Sequence, residues 1–313
     1  MRLVVTSGSR YLDIDAYAGV VGYAELLRQI GHPSVAVSTS ELNYSITPSL
    51  RELDGHFVTD YSPEPDDGFV LIDVSDPTAF DAVVDKGRVQ EVIDHHPGFE
   101  EYWRERIGGK ADIEFIGAAC TQVYERWVKE GVFEHMSEAS AQLLAAGILD
   151  NTLNFQAEVS TPRDETAYAA LGEKARLSAD WPMSYFTDCQ AAVTEDVTTS
   201  ILNDSKILKF KTFADRISVG QLVVWDASEV LAKHTAAMEE VLAGIREHWF
   251  MNLVSIGGGQ SYFVTNHPEV QEWLMHLLGA RFHGDVAETG RLWLRKEILK
   301  ADIDHMRGDL SND

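Results

Sequence analysis

Apolar residues along this chain fall into two kinds of run, short β-like stretches and longer ones with helical spacing. In the first half the two alternate. Leu3-Val4-Val5 is a short apolar run. After a polar interval, Ala16, Val20, Ala24 and Leu27 recur at helical spacing until Gly31 stops them. The segments 34–37, 69–72 and 89–93 read as further strands, and the last two run directly into an aspartate. Helices are predicted over about 117–129, 137–149 and 162–177, the last opened by Thr161 as N-cap with Pro162 at the first helical position. Strands alternating with helices predict the α/β class, with a mostly parallel sheet covered by helices on both faces.

The helical period is lost at AAVTEDVTTS, residues 191–200, which reads as a linker. Beyond it, 206–213 and 216–225 read as paired strands and 228–249 as one long helix. Segments 253–256 and 262–265 read as strands around Gly257-Gly258-Gly259, and 268–278 as a helix. The expected organisation is a first domain over 1–190, a linker over 191–200 and a smaller C-terminal α/β domain over 201–313.

Composition fits this division. The 313 residues suit two domains of roughly 100–200 residues each, and 45% hydrophobic residues suffice for two cores. Twenty-six basic against 50 acidic side chains give a formal charge of −24. Binding along a nucleic acid backbone relies on many Lys and Arg contacts, so long nucleic acid is not an expected partner. A small anionic substrate needs only a local positive site, which a bound metal provides. MRLVVTSGSR is too short and polar for a signal-peptide core, and no apolar run reaches the roughly 18 residues of a membrane span. A cytoplasmic protein without membrane association is expected. Cys120 and Cys189 are isolated and read as small buried hydrophobes.

Ligands of open α/β sheets bind beyond the carboxyl ends of the strands, so polar residues just after apolar runs are the candidates for chemistry. Asp13 and Asp15 follow the first strand, Asp73 follows FVLI, and Asp94-His95-His96 follows QEVI. Asp150 ends the helical LLAAGIL. A single such aspartate is usually a cap or a turn residue. Gathered in one crevice, these acids repel one another unless a cation compensates them. Hard carboxylate oxygens with one or two imidazoles suit Mn²⁺ or Mg²⁺, and a carboxylate shared by two ions would place them roughly 3.5–4 Å apart.

At these residues the chain resembles the DHH phosphoesterase family. The resemblance runs through DIDA (13–16), LIDVSD (71–76), VIDHHPGFEEY (92–102) and GILDNT (147–152), with further similarity at IGAACTQV (116–123) and STPRDETA (160–167). Lys206 in Asp204-Ser205-Lys206, Arg295-Lys296 and the ILKADI tail resemble the DHH-associated domain of manganese-dependent family II inorganic pyrophosphatases and related exopolyphosphatases. The Gly257–Gly259 run invites comparison with RecJ-type and oligoribonucleotide-degrading relatives. The resemblance implies a metal-binding first domain and a substrate-binding second one, and two lobes joined by a connector suggest closure over the substrate. Asp73 would bridge two ions, Asp13 would serve the first, and Asp15, His95 and Asp150 the second. His96 would face the substrate, Asp94 would stand behind the ligands, and Lys206, Arg295 and Lys296 would bind phosphate oxygens. A homodimer is compatible with the resemblance.

Two positions depart from the pattern. Ser9 stands where the family's H-x-x-x-D-x-D begins, and a neutral hydroxyl is a poorer Mn²⁺ ligand than imidazole. The first ion is then expected to bind weakly, to prefer Mg²⁺ or to require substrate. Arg10 reads either as positive charge near the phosphate or as a solvated arginine. Leu294 stands where the family has serine. Three functions follow from the resemblance. The first is a phosphohydrolase cleaving pyrophosphate or short polyphosphate by attack of a metal-bound water. The second is a phosphodiesterase for short oligonucleotides or cyclic dinucleotides. The third is a non-enzymatic descendant that binds a phosphorylated ligand.

Overall fold

The computed structural model describes residues 1–9, 11–53 and 56–310. Contacts divide the chain into two units, Met1–Trp181 and Pro182–Asp313.

The first unit is built on six parallel strands in the spatial order Phe57–Val58, Ser34–Val37, Leu3–Thr6, Gly68–Ile72, Val89–Asp94 and Ala111–Ile113. Gly68–Ile72 is buried along its whole length, as a central parallel strand covered on both faces must be. Side chains alternate across the sheet. Val4, Phe69, Leu71 and Val92 pack on one face against Trp103 of the helix Glu100–Ile107. Ile72 points the other way and touches the helix Ile14–Gln29 so closely that a Cβ on Gly19 would lie 2.6 Å from its Cγ2. Chain order reverses between Leu3–Thr6 and Gly68–Ile72, and their carboxyl ends flank the crevice where such sheets bind ligands.

The second unit holds a mixed six-stranded sheet ordered Arg281–His283, Val286–Glu288, Gln260–Val264, Trp249–Ser255, Arg216–Val224 and Ser205–Lys209. Only the pair Arg216–Val224 and Trp249–Ser255 is parallel, and the helix Ala227–Ile245 makes the crossover it requires. Phe210, Phe250, Phe263 and Trp273 form the centre of its core.

The α/β reading of both halves holds, and two local readings are corrected. Residues 191–200 are helical rather than a connector. They end the helix Trp181–Glu195 and supply Val197–Asn203, which Asp196 caps by accepting from the Thr199 N–H at 3.0 Å. The lost period marks a junction between two helices. The long helix expected over 228–249 stops at Ile245, and Trp249 opens a fully buried strand. WFMNLVS is apolar except at Asn252 and Ser255, which are also buried, so it shows no alternation to distinguish strand from helix. Gly257–Gly259 lies in the turn joining the antiparallel Trp249–Ser255 and Gln260–Val264. Cys120 and Cys189 form no disulfide and are buried. Among the described residues, no helix is long and apolar enough to cross a membrane.

Candidate metal centre

Two neighbouring strands deliver the centre. Asp73 directly follows Gly68–Ile72 and takes a left-handed conformation, φ +59°, while its N–H stays tied to Ile93 O at 2.8 Å. A side chain other than glycine is held there at a cost of about 1–2 kcal/mol, and strained residues of this kind concentrate at functional sites. The Asp73 Oδ1 atom is buried with no hydrogen-bond partner.

Asp94 ends the strand Val89–Asp94 and folds the chain after it. Its Oδ1 accepts from the backbone N–H groups of His95 at 2.8 Å and His96 at 3.2 Å, and lies 2.9 Å from His96 Nδ1. His95 turns inward. Its Nδ1 lies 3.0 Å from the carbonyl oxygen of Ile116. A carbonyl only accepts, so Nδ1 carries the proton, and in the neutral ring Nε2 presents a lone pair. That Nε2 lies 3.2 Å from Asp73 Oδ1 and 3.7 Å from Asp15 Oδ2. A lone pair facing carboxylate oxygens is an arrangement of acceptors that a divalent cation satisfies. Fixing the outer nitrogen of a histidine to a carbonyl is how proteins orient a metal ligand.

The other acids surround this pair. Asp13 caps the helix Ile14–Gln29, accepting from Ala16 N–H at 3.0 Å, and lines a cavity of about 220 Å³ with Ser7, Ser9, Asp73 and His96. Asp15 is buried in the first turn of that helix. Its Oδ1 accepts from Cys120 N–H and its Oδ2 from Ala119 N–H, each at 2.8 Å, and Asn151 Nδ2 adds a third donor. Gly147 permits this approach, since a Cβ there would lie 2.5 Å from Cys120 Sγ and 3.1 Å from Asp15 Cα. Burial, then the neighbouring Asp15 and Asp13, push the Asp73 carboxyl well above the usual carboxylate range. Burial and Asp15 also raise Asp13. Without a cation this crevice favours protons.

Among the described residues, Asp73, His95 and His96 form the group whose ligand atoms all lie within 4.8 Å of one another. The His96 side chain is 60% exposed at the cavity. Partial desolvation at the cavity wall opposes its charge, but the Asp94 hydrogen bond and the Asp73 carboxylate raise its pKa above the usual imidazole value. Ser9 is exposed on the cavity wall, its N–H bonded to Ala79 O at 2.8 Å. Asp150 is half-buried near the end of the helix Glu138–Asn151, where its neighbour Asn151 makes the contact to Asp15. Arg10 lies outside the described residues.

In the second unit the three cations lie on neighbouring backbone. Lys206 is exposed on the strand Ser205–Lys209 and pairs in register with Val219. Lys296 is exposed in the first turn of the helix Arg295–Leu310. Arg295 differs from the expectation. Its guanidinium is nearly buried, with Nη1 donating to Asp204 O at 2.6 Å and Nη2 paired with Asp204 Oδ1 at 2.5 Å. The planar fork expected to bind phosphate is engaged by its own unit. Sequence reasoning also passes over Ile116, whose backbone carbonyl fixes His95, and Asn151, which reaches Asp15. The IGAACTQV and GILDNT segments are the only signals that point at them.

No family model matches the chain. It is 24% identical over 262 residues to a probable manganese-dependent inorganic pyrophosphatase of Bacillus anthracis, covering 81% of both chains. It is 26% identical over 265 residues to a protein of the same description from Bacillus cereus, again over 81% of each. A solved structure described as a putative family II inorganic pyrophosphatase of Methanococcus jannaschii superposes with a TM-score of 0.68 at 18% identity, covering 96% of this chain and 99% of that one. The chain thus has the two-unit α/β fold of that archaeal protein and is similar along four-fifths of its length to proteins described as manganese-dependent pyrophosphatases.

Proposed function

We propose that this chain is a divalent-metal-dependent phosphohydrolase that cleaves a phosphoanhydride, pyrophosphate or a short polyphosphate, and that it uses Mn²⁺. One observation carries the reading: the buried Asp73 Oδ1, which accepts no hydrogen bond, faces a histidine nitrogen whose other side is already committed to a backbone carbonyl. The relatives described as manganese-dependent pyrophosphatases support both the metal and the substrate class.

Asp73 and His95 would hold the metal, with Asp15, Asp13 and Asp150 as further carboxylates from two helices. A divalent ion held there supplies charge against phosphate oxygens and makes water acidic enough to react near neutral pH. This chain's own groups do the rest. Asp94 sets the direction of both histidines through three contacts to one oxygen. His96, exposed at the cavity, would face the phosphate. Lys206 and Lys296 would neutralise phosphate oxygens, while Arg295 braces the turn at Asp204 that precedes Lys206. The glycine run that favoured a phosphodiesterase is a hairpin turn, which an antiparallel connection explains.

The test is product analysis with Mn²⁺ present. Release of orthophosphate from pyrophosphate or tripolyphosphate is expected. Nucleotide release from a dinucleotide, without phosphate release from pyrophosphate, would replace this reading with the phosphodiesterase one.

A further inference from the structure

Asp164 sits on the helix Pro162–Lys174, far along the chain from the acids at the strand ends, and its carboxylate is fully buried. Four donors converge on it. The Thr121 hydroxyl donates to Oδ1 at 2.6 Å. The Thr161 N–H and hydroxyl, each at 2.8 Å, and the Gly117 N–H, at 3.2 Å, donate to Oδ2. The Thr161 N–H contact is the capping box of its own helix, and the Thr161 hydroxyl adds a local side-chain bond. The other two reach into the segment that frames the metal centre.

Gly117 N–H and Ile116 C=O are the two ends of one peptide group. Asp164 holds the first end, and His95 Nδ1 donates to the second at 3.0 Å. The peptide group is planar and stiff, so fixing its N–H fixes the direction of its carbonyl. The same segment continues into Ala119 and Cys120, whose N–H groups hold Asp15. Gly117 is required for this approach, because a Cβ there would lie 2.6 Å from Asp164 Oδ2 and 2.8 Å from Thr152 Cγ2.

We propose that Asp164 is a positioning residue of the metal centre, holding His95 through the Ile116–Gly117 peptide so that Nε2 is presented toward Asp73. The inference rests on reading Asp73 and His95 as metal ligands. Asp164 touches no reacting group. Its work is to keep the proton of His95 on Nδ1 and the ring in one orientation, as outer partners of ligating histidines do.

The experiment measures Mn²⁺ affinity by electron paramagnetic resonance for the full chain and for Asp164→Ala, Asp164→Asn and Thr121→Val. The ¹⁵N shifts of His95 in the metal-free proteins report its tautomer. Asp164→Ala is expected to weaken Mn²⁺ binding roughly 10- to 100-fold and to mix the His95 tautomers. Asp164→Asn is expected to retain most of the affinity. Its amide oxygen keeps the three Oδ2 contacts, and its NH₂ meets the Thr121 hydroxyl, which accepts as well as donates. Thr121→Val removes one contact while leaving the helix cap, so it answers the question if Asp164→Ala does not fold; a partial loss is expected. Unchanged affinity and an unchanged His95 tautomer in Asp164→Ala and Thr121→Val would overturn the proposal while leaving the metal centre intact. Asp164→Asn as weak as Asp164→Ala would also overturn it, because charge rather than position would then be at work. Failure of the unmodified protein to bind Mn²⁺ would instead remove the metal reading, and the tautomer comparison would still decide the role of Asp164.

Discussion

His95 Nε2 lies 3.2 Å from Asp73 Oδ1 while His95 Nδ1 is committed to the Ile116 carbonyl at 3.0 Å. Most of what this protein is expected to do follows from that pair. The histidine cannot turn away from the carboxylate without abandoning a buried carbonyl, at a cost of about 1–3 kcal/mol. The carboxylate, at a left-handed backbone position, carries a buried oxygen with no hydrogen-bond partner.

Asp73→Asn removes the charge most strongly opposed by its surroundings. The metal-free variant is expected to melt at a higher temperature than the unmodified protein, because repulsion from Asp13 and Asp15 is relieved. Adding Mn²⁺ should reverse the order. At 100 times its dissociation constant a ligand stabilises by about 2.7 kcal/mol, a gain the variant loses. Thermal denaturation with and without Mn²⁺ checks both halves.

The same cluster sets a pH dependence. The Asp73 and Asp13 carboxyls are raised in the folded state, so the folded protein holds these protons more tightly than the unfolded chain. Such groups lower stability as pH rises above the ordinary carboxylate range, and the penalty is complete above their folded values. The stability advantage of metal-free Asp73→Asn over the unmodified protein should therefore widen from about pH 4 upward. Mn²⁺ binding should release protons and tighten with pH over the same window. Calorimetry in buffers of different ionisation enthalpy measures the protons released.

Ser9 lines the cavity with Asp13 and Asp73 and contributes a hydroxyl where imidazole would be the better ligand. Ser9→His is expected to raise Mn²⁺ affinity and the number of ions bound. Equilibrium dialysis with metal counting distinguishes this from an unchanged stoichiometry.

Arg295 is braced by Asp204, with side-chain exposures of 10% and 18%. Arg295→Met is expected to destabilise the protein by roughly 3 kcal/mol, since removing one partner of a largely buried pair leaves the other charge uncompensated. Lys296→Met, at an exposed position, should leave stability nearly unchanged and raise the Michaelis constant for pyrophosphate. Denaturant melts and steady-state kinetics on the two variants separate a bracing role from a substrate-binding one.

Sequence shows most clearly what has a period or an end signal. The short apolar run at Ser34–Val37 and the Pro268 start of the helix Pro268–Leu278 mark the observed elements at both ends. The start of Trp249–Ser255 merges with the preceding helix in the sequence pattern, because Trp249, Phe250 and Met251 are too short an apolar stretch to set a period. At the site, the acids directly after apolar strands are legible, since strand ends mark the crevice of a parallel sheet. The partners that orient them are not. Ile116 acts through its carbonyl, Asp164 lies 47 residues from Gly117, and Arg295 lies 91 residues from Asp204. None of these contacts has a local pattern, and the last pairs an expected substrate ligand with a carboxylate of its own unit.

On the proposed function, Asp73 and His95 hold a metal that phosphoanhydride cleavage requires. The most direct measurement is orthophosphate release from pyrophosphate by metal-stripped protein as Mn²⁺ is titrated in, alongside His95→Gln. No release is expected without metal, with saturable release in Mn²⁺ and a loss of at least about tenfold in Mn²⁺ affinity for the variant. Phosphate release that persists without divalent metal, or that needs the same Mn²⁺ concentration with His95→Gln, would contradict it.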